Sequence, residues 1–347
     1  MQRYFRTHIL SNTPLKGYYR YRDEFQVYPI ESDALKCPVA RHYPMYLEYS
    51  VDVPNNVSSK HLSIETLNKE KEIVRLLSVF TTFRFFYYTG DRDQWGCMIP
   101  PIPYDELTLE QQKLYLSQTS FWIQAVVRTK YLPHEIEING LSNLSCAAVE
   151  CGKDVDSYFA YINDDPIMQY YWLTQPKIIV SPVLTECLYA YYTLPDRHKK
   201  LVRSSIYLAY DGLEVKTAHK ALGYLSVVSA LEGLTKVLKY AHPERRSNGK
   251  LNYPKKQKVF SRMLQEYFSN AVGDIEQYND AYITRCSIAH DNAIFAFDYG
   301  LLLDEMDMRP SEDWHKQYIV ERLYRYVLTN MMLDVDRKNW TDENDMA

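Results

Sequence analysis

Between Met45 and Val53 the apolar residues take every second place: Met45, Leu47, Tyr49, Val51 and Val53 alternate with Tyr46, Glu48, Ser50 and Asp52. A period of two sends successive side chains to opposite faces, so this stretch predicts a half-buried β-strand. Tyr19–Tyr28 and Phe121–Arg128 are further strand candidates, although Trp122-Ile123-Gln124-Ala125 also fits a helix. Lys177-Ile178-Ile179-Val180, closed by Ser181-Pro182, predicts a short buried strand. From Ser63 to Tyr88 the period lengthens. Charged first turns (Glu65, Lys69, Glu70, Lys71, Glu72) give way to Ile73, Leu76, Leu77 and Phe80 at helical spacing, which predicts a long amphipathic helix.

From about residue 187 the helical period takes over. Asp196–Tyr210 predicts one helix with a basic exposed side: Arg197, His198, Lys199, Lys200 and Arg203. Val215–Tyr240 predicts a second, apolar on nearly every side through Leu222, Leu225, Val228, Leu231, Leu234 and Leu238, as a central bundle helix requires. Pro243, Asn248-Gly249 and Pro254 break the pattern and predict a loop over Ala241–Lys258. Val259–Ala271, Ile275–Phe295 and Pro310–Leu333 supply three more helices, the last opening on Pro310 ahead of Glu312 and Asp313. The expected class is α+β: a mixed α/β N-terminal domain over residues 1–186, an all-α helical bundle over 187–335, and an acidic tail over 336–347.

Composition narrows the classes. At 347 residues the chain holds two domains or one large one and needs no disulfide staples. Its 32 tyrosines suit partly wet interfaces and stacking surfaces, and most fit half-buried strand and helix positions equally well. A net charge of −4 argues against a broadly basic coat for nucleic acid, so such a contact must use a local patch. Met1–Gly17 lacks the continuous apolar core of a secretory signal, and no run of about 18 apolar residues predicts a membrane span. Six scattered cysteines without a Cys-x2-Cys pair fit reduced thiols and a cytoplasmic location. No glycine-rich phosphate loop and no Gly-x-Ser-x-Gly elbow occurs.

Three polar features interrupt the helical half. Arg285 and His290 stand five residues apart in Arg285-Cys286-Ser287-Ile288-Ala289-His290. Cleaving RNA through the ribose 2′-hydroxyl needs a group that moves protons near neutral pH, which histidine supplies, and a fixed cation for the phosphorane, which arginine supplies. A five-residue step turns about 140° on an ideal helix, so one regular helix does not bring the two side chains together. Either the helix is distorted or two protomers place their copies around one cleft; the plain alternative is an arginine beside a carboxylate and a histidine closing a helix. Glu232 is the second feature. In an apolar helix it needs a partner, either Arg285 on a facing helix, which it would then orient, or Lys236 at the bundle edge. The third is Lys236–Lys258, with eight Lys or Arg against Glu244 alone and with His242 and Tyr253 interleaved. Arg245, Arg246, Lys250, Tyr253, Lys255 and Lys256 suit a single-stranded phosphate backbone, or simply a solvated loop. His134, Glu135 and Glu137, and the acidic Asp304, Glu305 and Asp307, are weaker cation candidates.

The Ala230-Leu231-Glu232 helix followed by Arg285-x4-His290 resembles the HEPN superfamily, and within it the ApeA-like branch, over about Tyr191 to Leu333. Two departures are visible: Cys286 stands where many relatives have a polar residue, and Asp291 where many have glycine. The resemblance implies a dimerising helical bundle and, in catalytic members, a metal-independent endoribonuclease that needs no cofactor, with Arg285 and His290 catalytic. It also implies a bacterial part in antiviral defence by abortive infection or in toxin-like growth arrest, with the N-terminal domain sensing a trigger or binding an inhibitor. The expected partners are RNA and a second copy of the chain, with no membrane. The alternative is a non-catalytic HEPN scaffold that binds nucleic acid or a partner protein.

Overall fold

A computed structural model describes residues 1–11, 13–30, 43–87, 108–110, 135–160, 177–216, 218–245, 250–269, 275–291, 295, 298 and 309–342. The chain divides into two compact units, the first comprising Met1–Leu77, Phe83–Cys151 and Tyr171–Val180, the second Ser78–Thr82, Gly152–Tyr170 and Ser181–Ala347. An antiparallel sheet in one and a set of packed helices in the other make the protein mixed α+β. Phe121–Arg128, His134 and the Asp304, Glu305, Asp307 group lie outside the described residues.

The first unit is organised around β1 (Gln2–Ser11), which pairs along its whole length with β4 (Tyr43–Asp52), in register from Gln2 opposite Asp52 to Ser11 opposite Tyr43. Outside β4 lie β3 (Phe25–Pro29) and β2 (Tyr19–Tyr21). The other edge of β1 is shared, with β5 (Phe85–Tyr87) pairing Ile9–Ser11 and β6 (Glu135–Ile138) pairing Tyr4–Thr7. Three sequence expectations change here. Tyr19–Tyr28 is two strands joined by a turn in which Arg22 adopts a φ of 48°, the left-handed region. The helix expected over Ser63–Tyr88 is α1 (Ser59–Phe80), ending eight residues early because Phe85–Tyr87 extends along β1. Aromatic residues there satisfy helix and strand alike, and the open edge of β1 decides. The short strand expected at Lys177–Val180 is a single parallel bridge between Val180 and Cys151.

Strand β4 follows the alternation, with Met45, Leu47, Tyr49 and Val51 buried, yet its other face is covered too. Glu48 is fully buried there. Its carboxylate accepts from Arg6 Nε (2.7 Å), Gln26 Nε2 (2.7 Å), the Tyr28 hydroxyl (2.8 Å), and the backbone N–H and hydroxyl of Ser142 (both 2.7 Å). Burial raises the Glu48 pKa, and the hydrogen bonds from Ser142, Tyr28 and Arg6 outweigh it, leaving the carboxyl below its ordinary range. The segment after β6 is thereby docked on the sheet. It is held a second time at Gly17 (φ 104°), where a Cβ would lie 2.7 Å from the Ala147 carbonyl oxygen.

The second unit contains α2 (Val155–Phe159), capped by Asp154 accepting from Ser157 N at 2.8 Å, α3 (Leu184–Tyr192) and α4 (Asp196–Val215). It continues with α5 (Lys220–Thr235), α6 (Lys256–Tyr267), α7 (Ile275–His290) and α8 (Arg309–Leu333). Helix α5 is the centre, packed against α4, α6, α7 and α8. Its Tyr224, Val227, Val228, Leu231 and Leu234 are buried, each contributing roughly 1.5–3 kcal/mol. The helix expected over Val215–Tyr240 is interrupted at both ends: Val215 closes α4, and Leu238 is buried beyond α5. Leu222, expected on the packed surface, is 50% exposed. At the crossing of α4 and α5 a Cβ on Gly212 would meet the Gly223 carbonyl oxygen at 2.9 Å, so the backbones touch where only glycine fits. The first amides of α5, Lys220 N and Ala221 N, donate to the Asp298 carboxylate at 2.7 and 2.9 Å, a cap from a residue remote in sequence.

Beyond α8 the chain stays packed as far as Thr341. Trp340 and Thr341 are buried, Thr341 N donates to Val237 O (2.8 Å), Lys239 N donates to Asn339 O (2.8 Å), and the His198 ring lies 2.9 Å from Thr341 O. One tryptophan with a matching site outweighs the polar composition around it.

Candidate functional site

Helices α5 and α7 bring Glu232 and Arg285 together. Arg285 Nη2 lies 2.9 Å from Glu232 Oε2, with side chains 21% and 18% exposed, so of the two partners open to Glu232 from sequence the structure pairs it with Arg285. The pair forms because each residue is a polar interruption on facing helices. A carboxylate at this depth is far less costly beside a guanidinium than alone. Arg285 Nε is buried and has no hydrogen-bond partner among the described residues, so the carboxylate engages one edge of the planar fork.

His290 is the last residue of α7 and is exposed. The helix runs unbroken through both positions, and Asp291 N continues its pattern by donating to Ser287 O at 2.9 Å. The distortion allowed by the sequence is absent from α7. Arg285 and His290 therefore point about 140° apart around one axis. Within one chain the structure joins Arg285 to Glu232 and leaves His290 at the helix end.

Tyr282 belongs to this cluster, and sequence reasoning missed it. Its ring packs on Phe260 of α6 at 5.4 Å, and its hydroxyl is hydrogen-bonded to the Cys286 side chain. Burial, then the Glu232 carboxylate and Cys286, push its pKa up against a smaller lowering by Arg285. The signal was its position three residues before Arg285, on the same face of the helix.

The basic segment has more structure than the loop expected over Ala241–Lys258. Lys239–Ala241 forms a 3-10 turn, β7 (Glu244–Arg245) pairs with β8 (Leu251–Asn252), and α6 begins at Lys256. Two short strands suffice to interrupt a run whose turn residues hid them. Tyr253 is 70% exposed, and Lys250, Lys255, Lys256 and Lys258 are exposed around it. Arg246 and the side chain of Arg245 lie outside the described residues. On α4, Lys199 Nζ sits 5.4 and 5.3 Å from the Tyr191 and Tyr192 rings.

Among the described residues no three His, Cys, Asp or Glu side chains converge as metal ligands do, and no helix is long and apolar enough to cross a membrane. No family model, no curated protein and no solved structure matches the chain.

Proposed function

We propose that the helical unit is a HEPN-type endoribonuclease that works without a metal, and that the observation carrying this reading is Arg285 held by Glu232 on a regular helix that ends in an exposed His290. The ribose 2′-oxygen attacks the adjacent phosphorus, the bond to the 5′-oxygen breaks, and the products are a 2′,3′-cyclic phosphate and a 5′-hydroxyl. Histidine moves the protons; arginine neutralises the phosphorane. Glu232 fixes the guanidinium, and Tyr282 supports both from α7. Since one straight helix separates the two groups, the working site pairs Arg285 of one protomer with His290 of its partner around a twofold axis. The exposed lysines around Tyr253 hold the RNA backbone. In this reading the enzyme acts in the cytoplasm in antiviral defence or growth arrest, and the sheet-containing unit senses the trigger.

Incubating purified protein with total RNA in excess chelator tests the reading. Cleavage leaving cyclic phosphate ends is expected, and Arg285→Ala or His290→Ala each lowers the rate by about 10² to 10⁴ while the fold persists. Metal-dependent cleavage, or full activity in His290→Ala, removes the mechanism. Replacing Arg245, Arg246, Lys255 and Lys256 with serine weakens RNA binding for all sequences and reduces the slope of log affinity against log salt by about 0.7 for each phosphate no longer neutralised. An unchanged slope would make the segment a solvated connection.

A second reading, a non-catalytic scaffold for nucleic acid or a partner protein, draws on Cys286 and Asp291 at the positions beside Arg285 and His290. It predicts RNA binding without cleavage.

A further inference from the structure

The edge strand β2 is left open where its neighbour parts from it. On one side β2 pairs with β3, Tyr19 opposite Val27 and Tyr21 opposite Phe25. On the other side the segment after β6 runs parallel to its start: Tyr18 N donates to Ala147 O at 2.9 Å, and Val149 N donates to Tyr18 O at 2.7 Å. The pairing stops there. Glu150 O accepts from Val180 N at 2.9 Å and Cys151 bridges Val180, so the segment turns to a neighbour on its far side. The root of the gap is fixed, because Gly17 lets the backbones approach where a Cβ would meet Ala147 O at 2.7 Å.

The period of two decides which backbone groups face this gap. Tyr18 turns its N–H and C=O toward the 147–149 segment, so Arg20, two residues on, turns its own the same way. Val149 N already bonds toward β2, so Val149 C=O and Cys151 N–H face β2 as well. Among the described residues no hydrogen bond reaches Arg20 N–H, Arg20 C=O, Val149 C=O or Cys151 N–H. The Arg20 side chain does not cover them. Its Nη2 donates to Asp23 Oδ1 at 2.7 Å and its Nε to Arg22 O at 3.0 Å, which folds it over the turn. Between the two walls lies a cleft of about 490 Å³ whose lining includes Tyr18, Arg20, Asp23, Val149 and Cys151, with Arg20 and Cys151 exposed.

From this geometry we propose that the cleft takes an extended peptide segment of a partner protein, which adds to the sheet beside Arg20. An open sheet edge is a template for a further strand, and main-chain hydrogen bonds hold the strand there. An extended peptide presents a donor and an acceptor to each side at alternate residues, so a strand seated in the cleft answers both walls. The same alternation sets its side chains. Tyr19 and Tyr21 are buried on one face of β2 and Arg20 is exposed on the other, so apolar residues flanking a glutamate placed opposite Arg20 match both faces. The site lies wholly in the sheet-containing unit and stands or falls without the ribonuclease reading.

The experiment titrates the full chain into a fluorescein-labelled, capped peptide of alternating valine and glutamate and follows its anisotropy. Saturable binding is expected. The same peptide methylated at every backbone nitrogen binds at least about tenfold more weakly, and so does the parent peptide to Arg20→Pro, which removes the edge N–H. Proline is tolerated at that position because the N–H points away from β3. Arg20→Ala keeps the backbone donor and weakens binding by no more than about threefold. Should Arg20→Pro fail to fold, the methylated peptide decides alone. No saturation at millimolar peptide, or equal binding of the methylated peptide, overturns the proposal. If light scattering instead shows the parent chain self-associating and Arg20→Pro monomeric, the edge pairs with a second copy and the peptide site falls.

Discussion

Glu48 in the sheet-containing unit and Glu232 in the helical unit are both carboxylates set among apolar residues, and their surroundings treat them differently. Glu48 is fully buried and accepts from Arg6, Gln26, Tyr28 and both polar groups of Ser142, side chains and backbone gathered from β1, β3 and the segment after β6. Glu232 is partly exposed and is paired with Arg285. A carboxylate whose lone pairs are all engaged holds a structure together; one that spends itself on a single cation, near the surface, is arranged to aim that cation. The first signature belongs to folding and the second to a site, although both look alike in sequence as one glutamate in an apolar run.

The contrast breaks most visibly at Glu48→Ala. Its donors lose their acceptor at a buried position, and destabilisation of about 3–5 kcal/mol is expected, read as a drop in the urea midpoint of the sheet-containing unit. A loss below about 1 kcal/mol would mean that water enters and replaces the carboxylate. Acid is the gentler version of the same change. Because the folded pKa of Glu48 lies below its ordinary value, its contribution is complete above the unfolded pKa of about 4.3 and disappears as pH falls through the lower folded value. Unfolding of that unit should therefore steepen below about pH 4, and Glu48→Gln should flatten the acid limb; identical acid limbs in both proteins would remove Glu48 as the cause.

Glu232→Ala should cost little by comparison, about 1 kcal/mol or less, since water reaches the exposed edge of Arg285. Its consequence falls on function: a loosened guanidinium should slow RNA cleavage by about tenfold, the equivalent of one hydrogen bond to a charged group. Equal stability losses at Glu48 and Glu232, with unchanged cleavage in the second, would erase the distinction.

Much of the candidate site is legible along the chain. Glu232 and Arg285 stand out as charges in helical runs that bury their neighbours; the cost of leaving Glu232 alone called for a partner, with Arg285 and Lys236 both open, and only the facing of α5 and α7 chose Arg285. Tyr282 was not legible, because a tyrosine on a helix of a protein with 32 of them carries no mark until its ring is seen on Phe260.

Local chemistry determined where β4 and the helices of the second half form, because a period of two or of about 3.6 commits each residue to a face regardless of what lies far away. Tertiary structure alone decided where α1 stops and β5 begins, that Asp298 caps α5, that Trp340 closes the end of the helical unit, and which residues surround Glu48. In each of these the deciding partner is remote in sequence. A strand needs an edge, a helix end needs an acceptor, and a buried charge needs donors, and none of these can be read from the neighbours a residue has along the chain.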